Sequence, residues 1–327
     1  MCWRQQVAHH AQHPVGAHSE LPSMVAIGLL FVTDVYLHLG AHKTGTKYQQ
    51  AWLAANREFL AAQGSRFVPG RRIQADVRRW RWNPSRENIP PSLPKLFTEL
   101  TNLRRRSCVL SWEGMLGPMD LKATRTIYPH SRVILEVLHD QLRDSNTKVA
   151  YAVRDYGDWV ESSYKWMVRL NRSYTFEEYM EGVELDALTW VTTVTAMREL
   201  FGAENVLVWS HEAYRRDSAT GDEELLRFLY GADADLSKVK RLDSEERNTS
   251  PNAKGFEFAR GVHHLLEQSD LFSKADRKHL NPLLRRFVTQ HFDREFDPEP
   301  PVFLDETTRK YLTSRYEADC RELGIVV

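Results

Sequence analysis

Cysteine, net charge and long apolar runs are scarce in this sequence, and each scarcity excludes a class of protein. The three cysteines, Cys2, Cys108 and Cys320, are widely spaced and form no C-x-x-C pair of the kind found in zinc ribbons and redox couples. A reducing, cytoplasmic location is therefore expected. The 44 basic residues balance 44 acidic ones, so there is no overall positive field to hold nucleic acid. Any anionic ligand must bind at a local site.

A membrane span is disfavoured as well. The apolar run 25–32 is far shorter than the roughly 20 residues that a spanning helix needs. It also makes a poor signal peptide, because Asp34 follows it where small residues would be expected. Residues 1–24 contain several histidines and show neither helical nor strand periodicity. We expect them to be a disordered, dispensable tail, and 25–327 to form one domain.

Short β-rich runs alternate with longer segments of helical periodicity along the chain. The predicted strands are 35–39, 108–111, 149–153 and 206–209. This alternation predicts an α/β fold, with a central parallel sheet flanked by helices on both faces. From about Pro251 the chain is predicted to be mainly helical, interrupted at Pro282 and ending in a helix over 305–323. In such folds ligands bind at the carboxyl ends of the strands.

Three helix starts have recognisable sequence patterns. Apolar residues at Tyr48, Trp52, Ala55 and Phe59 predict the first helix, with Gly64 as a left-handed stop. Capping boxes are predicted at Asp158-x-x-Glu161 and Thr175-x-x-Glu178.

The loop after the first predicted strand has the composition of a phosphate site. Its sequence, LGAHKTGTK at 39–47, places glycines where the backbone must turn just before a helix N-terminus. It differs from G-x-x-x-x-G-K-[ST], because Lys43 precedes the second glycine, and it is not G-x-G-x-x-G. Lys47 lies in the first helical turn, which is favourable if an anion binds there. An ordinary glycine-rich turn is the alternative.

A strand followed by G-A-x-K-[ST]-G-[ST] and a helix resembles the 5′-phosphosulfate loop of sulfotransferases that use 3′-phosphoadenosine-5′-phosphosulfate (PAPS), especially bacterial ones. The resemblance implies a P-loop-NTPase-like sulfotransferase fold. It also implies that Lys43 lies beside the transferring group and takes part in catalysis. The implied donor-binding residues in this loop are His42, Lys43, Thr44, Gly45, Thr46 and Lys47. Lys47 departs from the family, which usually has a hydroxyl residue there.

A second element follows the third predicted strand. Arg154 ends the strand, and Ser162 comes eight residues later in the next helix. This spacing resembles the family's 3′-phosphate element, since an arginine fork and a helical hydroxyl can face one anion. Ser163 is the neighbouring alternative. Farther along, Arg247-Asn-Thr-Ser250 resembles a segment near the nucleotide, and His211 replaces a tyrosine usual in the family.

Glu113, in the S-W-E that begins at Ser111, resembles the family's S-x-E. The resemblance implies a general base that takes the proton of the acceptor hydroxyl. A solvated glutamate or a helix cap is the alternative.

The function implied is sulfuryl transfer from PAPS to a hydroxyl or amine of a glycan or small metabolite, with 3′-phosphoadenosine-5′-phosphate (PAP) as product and no metal. Residues 71–86, with six arginines, Trp80 and Trp82, are predicted to be a long loop. That loop fits an acceptor lid or a nucleic-acid contact, and a basic surface segment paired with the chain's own acids fits as well as these two together. The rival functions are an ATP-dependent phosphoryl transferase and a non-catalytic nucleotide- or nucleic-acid-binding protein.

Overall fold

Five parallel strands form the centre of the protein. The computed structural model describes residues 33–101, 106–242, 251–292 and 300–327. Its strands are β1 (Asp34–His38), β2 (Ser65–Pro69), β3 (Ser107–Ser111), β4 (Asn146–Val153) and β5 (Val206–Ser210). Every neighbouring pair is parallel, in the order β2-β3-β1-β4-β5. The predicted α/β fold with a parallel sheet is confirmed.

The α-helices of the described ranges are α1 (Thr46–Ala55), α2 (Arg57–Ala62), α3 (Ala75–Trp80), α4 (Ser92–Thr101), α5 (Leu121–Thr124), α6 (Ser131–Gln141), α7 (Tyr156–Arg169), α8 (Phe176–Met180), α9 (Val191–Phe201), α10 (His211–Arg216), α11 (Ser218–Tyr230), α12 (Ala253–Gln268), α13 (Lys274–His291) and α14 (Glu306–Leu323). None of them is long and apolar enough to span a membrane.

Alternate residues of each strand pack into two separate apolar cores, as the two-residue period of a strand requires. Val35 and Leu37 of β1 join the larger apolar cluster, whereas Tyr36 joins the smaller one on the opposite face. Helices α4, α6, α7, α9 and α14 contribute to the larger cluster, and α1, α2 and α11 to the smaller. The sheet is thus covered on both faces, so its open positions lie at the strand ends.

β1 occupies the middle of the sheet, between β3 and β4. The carboxyl end of β1 at His38 is in register with Ser111 of β3 and Ala150 of β4. The segments that leave β1 and β3 therefore start side by side, and the segment after β1 runs along the last residues of β4. This is the edge at which α/β folds bind their ligands.

Strand β2 was not predicted. It is an edge strand with the sequence SRFVP, and only two of its five residues are buried. The predicted long loop over 71–86 was also partly wrong, because α3 forms within it. Val77 and Trp80 are buried on one side of α3, and a helix this short has too few turns to show a clear period.

The first predicted helix is two helices. Asn56 lies between α1 and α2 because its side chain bonds to main-chain groups: its amide donates to Trp52 O and Lys240 O, both at 3.0 Å, and its oxygen accepts from Lys240 N at 2.7 Å. This competition with the helix is typical of asparagine. Gly64 has φ +77°, the left-handed conformation predicted for it.

One of the two predicted capping boxes is confirmed. Thr175 and Glu178 bond reciprocally at the start of α8. The box at Asp158 was wrong, because α7 begins earlier and Asp155 is its cap, accepting from Asp158 N at 2.9 Å. Asp158 is thereby left inside the first turn, with its carboxylate free to pair with cations.

The C-terminal part is helical, as predicted, and α14 begins directly after its cap, Asp305. Pro282 does not interrupt the helix but lies inside α13. A proline removes one helical hydrogen bond, and good helix formers on both sides continue the helix. Cys108 and Cys320 are buried free thiols. The predicted tail 1–24, Cys2 and the segment 247–250 lie outside the described residues.

Candidate active site

Three segments that leave β1, β3 and β4 meet at the carboxyl edge of the sheet. The loop after β1, residues 39–47, stays bonded to β4 through Leu39 N to Ala150 O (3.0 Å) and Ala41 N to Ala152 O (3.3 Å). The segment after β3 starts with Trp112 N donating to His38 O at 2.9 Å. The parallel sheet therefore brings together the 39–47 loop, the segment that carries Glu113 and the end of β4, where Arg154 follows.

The 39–47 loop has the backbone of an anion-binding turn. Lys43 and Gly45 have φ values of +69° and +81°, and α1 begins immediately afterwards. Left-handed backbone is uncommon for lysine and is often found at functional sites. In the described chain no backbone carbonyl accepts from the amides of Thr44, Gly45 and Thr46. These amides are the groups that would hold a phosphate.

The two threonine hydroxyls close the loop on itself. Thr44 Oγ1 donates to Ala41 O at 2.6 Å, and Thr46 Oγ1 lies 3.3 Å from the same carbonyl and from Thr44 Oγ1. Both threonines are buried. Their side chains therefore shape the loop, and their main-chain amides remain available for an anion.

His42 is held from behind the loop. Its amide donates to Tyr128 Oη at 2.8 Å, its Nδ1 lies 2.7 Å from the same hydroxyl, and its carbonyl accepts from Trp159 Nε1 at 2.9 Å. Burial lowers the pKa of His42 to about 3, so the imidazole is neutral. These contacts support the loop, and donor binding by His42 stays a prediction.

Lys43 is the central cation of the site. Its Nζ lies 5.2 Å from the centre of the Trp166 ring. Burial, and then the neighbouring charges of Arg154 and Lys47, lower its pKa to about 8, although Glu113 acts in the opposite direction. With a pKa of about 8, this lysine is still mostly protonated at neutral pH and therefore positively charged.

Arg154 joins the two predicted donor elements directly. Its Nη1 donates to Lys43 O at 2.7 Å, and its Nη2 to Asp158 Oδ2 at 3.3 Å. The third nitrogen, Nε, is buried and has no partner in the described chain. The first loop and the strand-end arginine, which are more than a hundred residues apart in the sequence, therefore line one site.

The two adjacent serines of α7 differ in their surroundings. Ser163 is fully buried and donates to Trp159 O. Ser162 is half-buried, and its hydroxyl makes no hydrogen bond within the described ranges. Of the two serines, only Ser162 has a hydroxyl available for a ligand, and its role in donor binding stays a prediction.

Glu113 lies among the lysines of the first loop. Burial raises its pKa, whereas Lys47, Lys43, a hydrogen bond from Thr46 and then Arg81 lower it. Lys47 is exposed, and its Nζ lies 5.1 Å from the Trp166 ring. The carboxylate and both ammonium groups thus share one half-buried space.

The sequence from 37 to 312 matches the family model described as the sulfotransferase domain. The chain belongs to the sulfotransferase family. None of the curated proteins matches it.

Among solved structures, this sulfotransferase chain is similar to three with low identity. A sulfotransferase from Alicyclobacillus acidocaldarius has 16% identity and a TM-score of 0.42, over 72% of this chain and 96% of that one. Mouse sulfotransferase SULT7A1 complexed with PAP has 14% identity and a TM-score of 0.35, over 86% and 88%. Retinol dehydratase in a complex with retinol and PAP has 16% identity and a TM-score of 0.32, over 88% and 80%.

His211, the residue that the sequence analysis compared with a family tyrosine, packs against the 39–47 loop. A Cβ atom on Gly45 would lie 3.3 Å from His211 Cε1. Burial, and then the charge of Arg154, lower the pKa of His211 to about 3. Its Nδ1 is buried without a partner in the described chain. Two polar nitrogens without partners, this one and Arg154 Nε, thus border the loop.

Trp166 was missed by the sequence analysis. It lies four residues after Ser162, one helical turn along the same face of α7, and this spacing could have identified it. The cations over its ring belong to Lys43, Lys47 and Arg169. An aromatic ring beneath three cations marks a surface at which positive charge accumulates.

The last helix supports the second element of the site. Arg309 of α14 pairs with Asp158 at 3.1 Å and Glu161 at 2.7 Å. Tyr316 donates to Glu212 at 2.7 Å, and Glu212 accepts from Asp155 N at 3.2 Å. In the described ranges no group of three or more His, Cys, Asp or Glu side chains is placed to hold a metal ion.

Proposed function

We propose that this protein transfers the sulfuryl group of PAPS to a hydroxyl or amine of an acceptor that is a glycan or small metabolite. The observation that carries the proposal is the hydrogen bond from Arg154 to Lys43 O, at 2.7 Å. It supports a single site in which the loop binds one end of a bisphosphorylated nucleoside and Arg154 binds the other. Family membership supports the reaction class.

The residues present fit the two anionic ends of PAPS. The amides of Thr44, Gly45 and Thr46 would hold the 5′-phosphate at the N-terminus of α1, where the helix dipole also favours an anion. Arg154 Nε and the Ser162 hydroxyl would hold the 3′-phosphate. Asp158, which pairs with Arg154, also pairs with Arg309. When Arg154 turns toward a phosphate, Asp158 can therefore remain paired with Arg309.

The chemical step needs a proton acceptor and a cation. PAPS supplies an activated sulfuryl group. Glu113 would take the proton of the acceptor as the acceptor oxygen or nitrogen bonds to sulfur. The bond from sulfur to the bridging oxygen breaks, and Lys43 stabilises the charge that this oxygen gains. Burial favours this role, because charges interact more strongly in a site with little water.

Calorimetry with PAP and, separately, with ATP tests the donor. We expect PAP to bind much more tightly than ATP. The adjacent serines supply a matched control: Ser162→Ala should weaken PAP binding about tenfold through one lost phosphate hydrogen bond, whereas Ser163→Ala should leave PAP binding unchanged. Preferential binding of ATP would contradict the proposal and favour a phosphoryl transferase.

A screen of acceptors with labelled PAPS tests the reaction. Transfer of label to any hydroxyl- or amine-bearing acceptor supports the enzyme. Tight binding of PAP with no transfer to glycan, phenol, amine or steroid acceptors would contradict the proposed enzyme and favour the non-catalytic nucleotide-binding protein.

A further inference from the structure

In the arginine- and tryptophan-rich segment 71–86, one residue, Arg81, contacts another segment of the candidate site. Several of its arginines are engaged with the protein: Arg86 pairs with Asp140 and Glu136, and Arg78 donates to Ile73 O at 3.1 Å and Gly70 O at 3.3 Å. Arg81 differs from these because it reaches another segment of the active site. It follows α3 directly, and its amide donates to Val77 O at 3.2 Å.

Arg81 binds the segment that carries Glu113. Its Nη1 donates to Gly117 O at 2.8 Å and also to Gly114 O. Its guanidinium lies over the indole of Trp112, 5.4 Å from the ring centre. Glu113 lies between Trp112 and Gly114, so the arginine holds the chain on both sides of this carboxylate.

The close fit leaves no space for side chains. A Cβ atom on Gly114 would lie 2.7 Å from Arg81 Nη1, and one on Gly70 would lie 2.6 Å from Trp112 Cδ1. Both are closer than a real Cβ contact. Glycine at 114 therefore allows the guanidinium to approach the main chain, and glycine at 70 leaves room for the indole that it covers.

The positive charge of Arg81 also lowers the pKa of Glu113. Its hydrogen bonds end on main-chain carbonyls, including Arg78 O at 3.3 Å, so they bring no negative charge next to it. Burial lowers its own pKa, and Tyr128 and Glu113 oppose this shift. The charged or titratable groups that face Glu113 are Lys47, Lys43, Arg81 and Tyr128.

We infer that Arg81 is a positioning residue that fixes residues 112–117 on α3 and thereby directs Glu113 toward Lys43 and Lys47. The inference rests on the proposed role of Glu113 as the base. It makes α3, which lies far from both donor elements in the sequence, a part of the acceptor side of the site. Arg81 itself need not touch the donor.

The test is a pH titration of Glu113, monitored by carbon NMR of protein labelled at the glutamate carboxyls. Glu113→Gln identifies the signal. In Arg81→Met we expect the pKa of Glu113 to rise, because a nearby positive charge is lost. Arg79→Met, which changes an exposed arginine of α3, should leave this pKa unchanged. An unchanged pKa in Arg81→Met would overturn the inference.

A second variant separates charge from position. Arg81→Lys keeps the charge but cannot bond to both Gly114 and Gly117 in the same way. We expect faster hydrogen exchange of the amides in 112–117 in Arg81→Lys than in Arg79→Met. Equal exchange would contradict the positioning role. If Arg81→Met does not fold, this comparison alone decides the question.

The outcome is distinguishable from that of the proposed function. PAP binding by calorimetry should be the same in Arg81→Met and the wild type, because the donor residues are untouched. If wild-type protein does not bind PAP, the proposed function fails, and the effect of Arg81 on Glu113 can still be measured. With an acceptor in hand, Arg81→Met should lower kcat, leave the KM for PAPS unchanged and move the acid limb of the pH profile upward.

Discussion

The proposed donor and acceptor sides of the site are built in different ways. The donor side consists of two short continuous segments, 39–47 and 154–162, each following a strand, and one hydrogen bond from Arg154 to Lys43 O joins them. The proposed acceptor side combines Arg81 and Glu113, which come from separate parts of the chain and meet through hydrogen bonds to main-chain carbonyls. Local backbone geometry therefore determines the first, and tertiary packing determines the second.

The electrostatics of the two sides differ as well. Behind the donor loop, burial keeps His42 and His211 neutral by lowering each pKa to about 3. On the acceptor side Glu113 remains close to charged Lys43 and Lys47. Neutral groups can support a phosphate loop without competing for its ligand, whereas proton transfer needs titratable groups near the acceptor.

The largest effect is expected at Lys43, where the two sides meet. Lys43→Ala should lower kcat/KM by about 10³-fold, because the leaving oxygen loses its cation, and the fold should be retained. Lys95→Ala, which changes an exposed lysine on α4, is the control. Near-normal turnover of Lys43→Ala would refute the assignment. The measurement is steady-state transfer of labelled sulfate, with circular dichroism to check folding.

The acceptor side alone should fail when Glu113 is changed. Glu113→Gln keeps the shape of the side chain and removes the base, so kcat should fall about 10²-fold. PAP affinity by calorimetry should be unchanged. Wild-type activity should rise with pH through the raised pKa of Glu113, since the carboxylate form is the base. This acid limb should be absent in Glu113→Gln, and its persistence would assign the limb to another group.

A substitution of Gly45 should impair the proposed donor side alone. Gly45→Ala forces alanine into φ +81° and places a Cβ atom 3.3 Å from His211. Gly231→Ala is the matched control, because φ there is +96° and a Cβ atom would meet nothing within 4 Å. Both variants should lose about 1–2 kcal/mol of unfolding free energy from backbone strain.

Only Gly45→Ala should also weaken PAP binding, by about tenfold, which corresponds to about 1.4 kcal/mol. Urea unfolding and calorimetry measure the two effects separately. Equal loss of PAP affinity in both glycine variants would show that the loop has no special role in donor binding.

The smallest effect is expected at Lys47, which faces both sides. Its charge lowers the pKa of Lys43 and the pKa of Glu113. In the free enzyme, kcat/KM for PAPS should therefore fall above about pH 8 as Lys43 loses its proton. In Lys47→Met both limbs of this profile should move to higher pH, since both pKa values rise. A shift of one limb only would mean that Lys47 faces a single side, and Lys95→Met should shift neither.

The sequence was sufficient to predict the parallel sheet and to single out the two segments proposed to bind the donor, which the structure places side by side. Each element is contiguous and follows a strand, so glycine spacing and the eight-residue separation of Arg154 and Ser162 identify them. It was not sufficient for Arg81 or Trp166. The role of Arg81 depends on main-chain oxygens at Gly114 and Gly117, and no residue pattern in the sequence records where a carbonyl will point.

Two errors have the same physical origin. The helix break at Asn56 and the shifted start of α7 both depend on side chains that bond to main-chain groups. Asparagine and aspartate compete with the helix in this way, and which of several candidates wins depends on tertiary partners such as Lys240.

The pairing of Arg309 and Tyr316 with α7 and α10 affects the point during folding at which the protein can bind its proposed nucleotide. Asp158, Glu161 and Glu212 have these partners only after α14 has docked. A chain in which α14 has not yet packed against α7 and α10 would already contain the residues proposed to bind the donor, yet Asp158, which pairs with Arg154, would lack Arg309. Binding of the proposed nucleotide should thus begin only once α14 has docked.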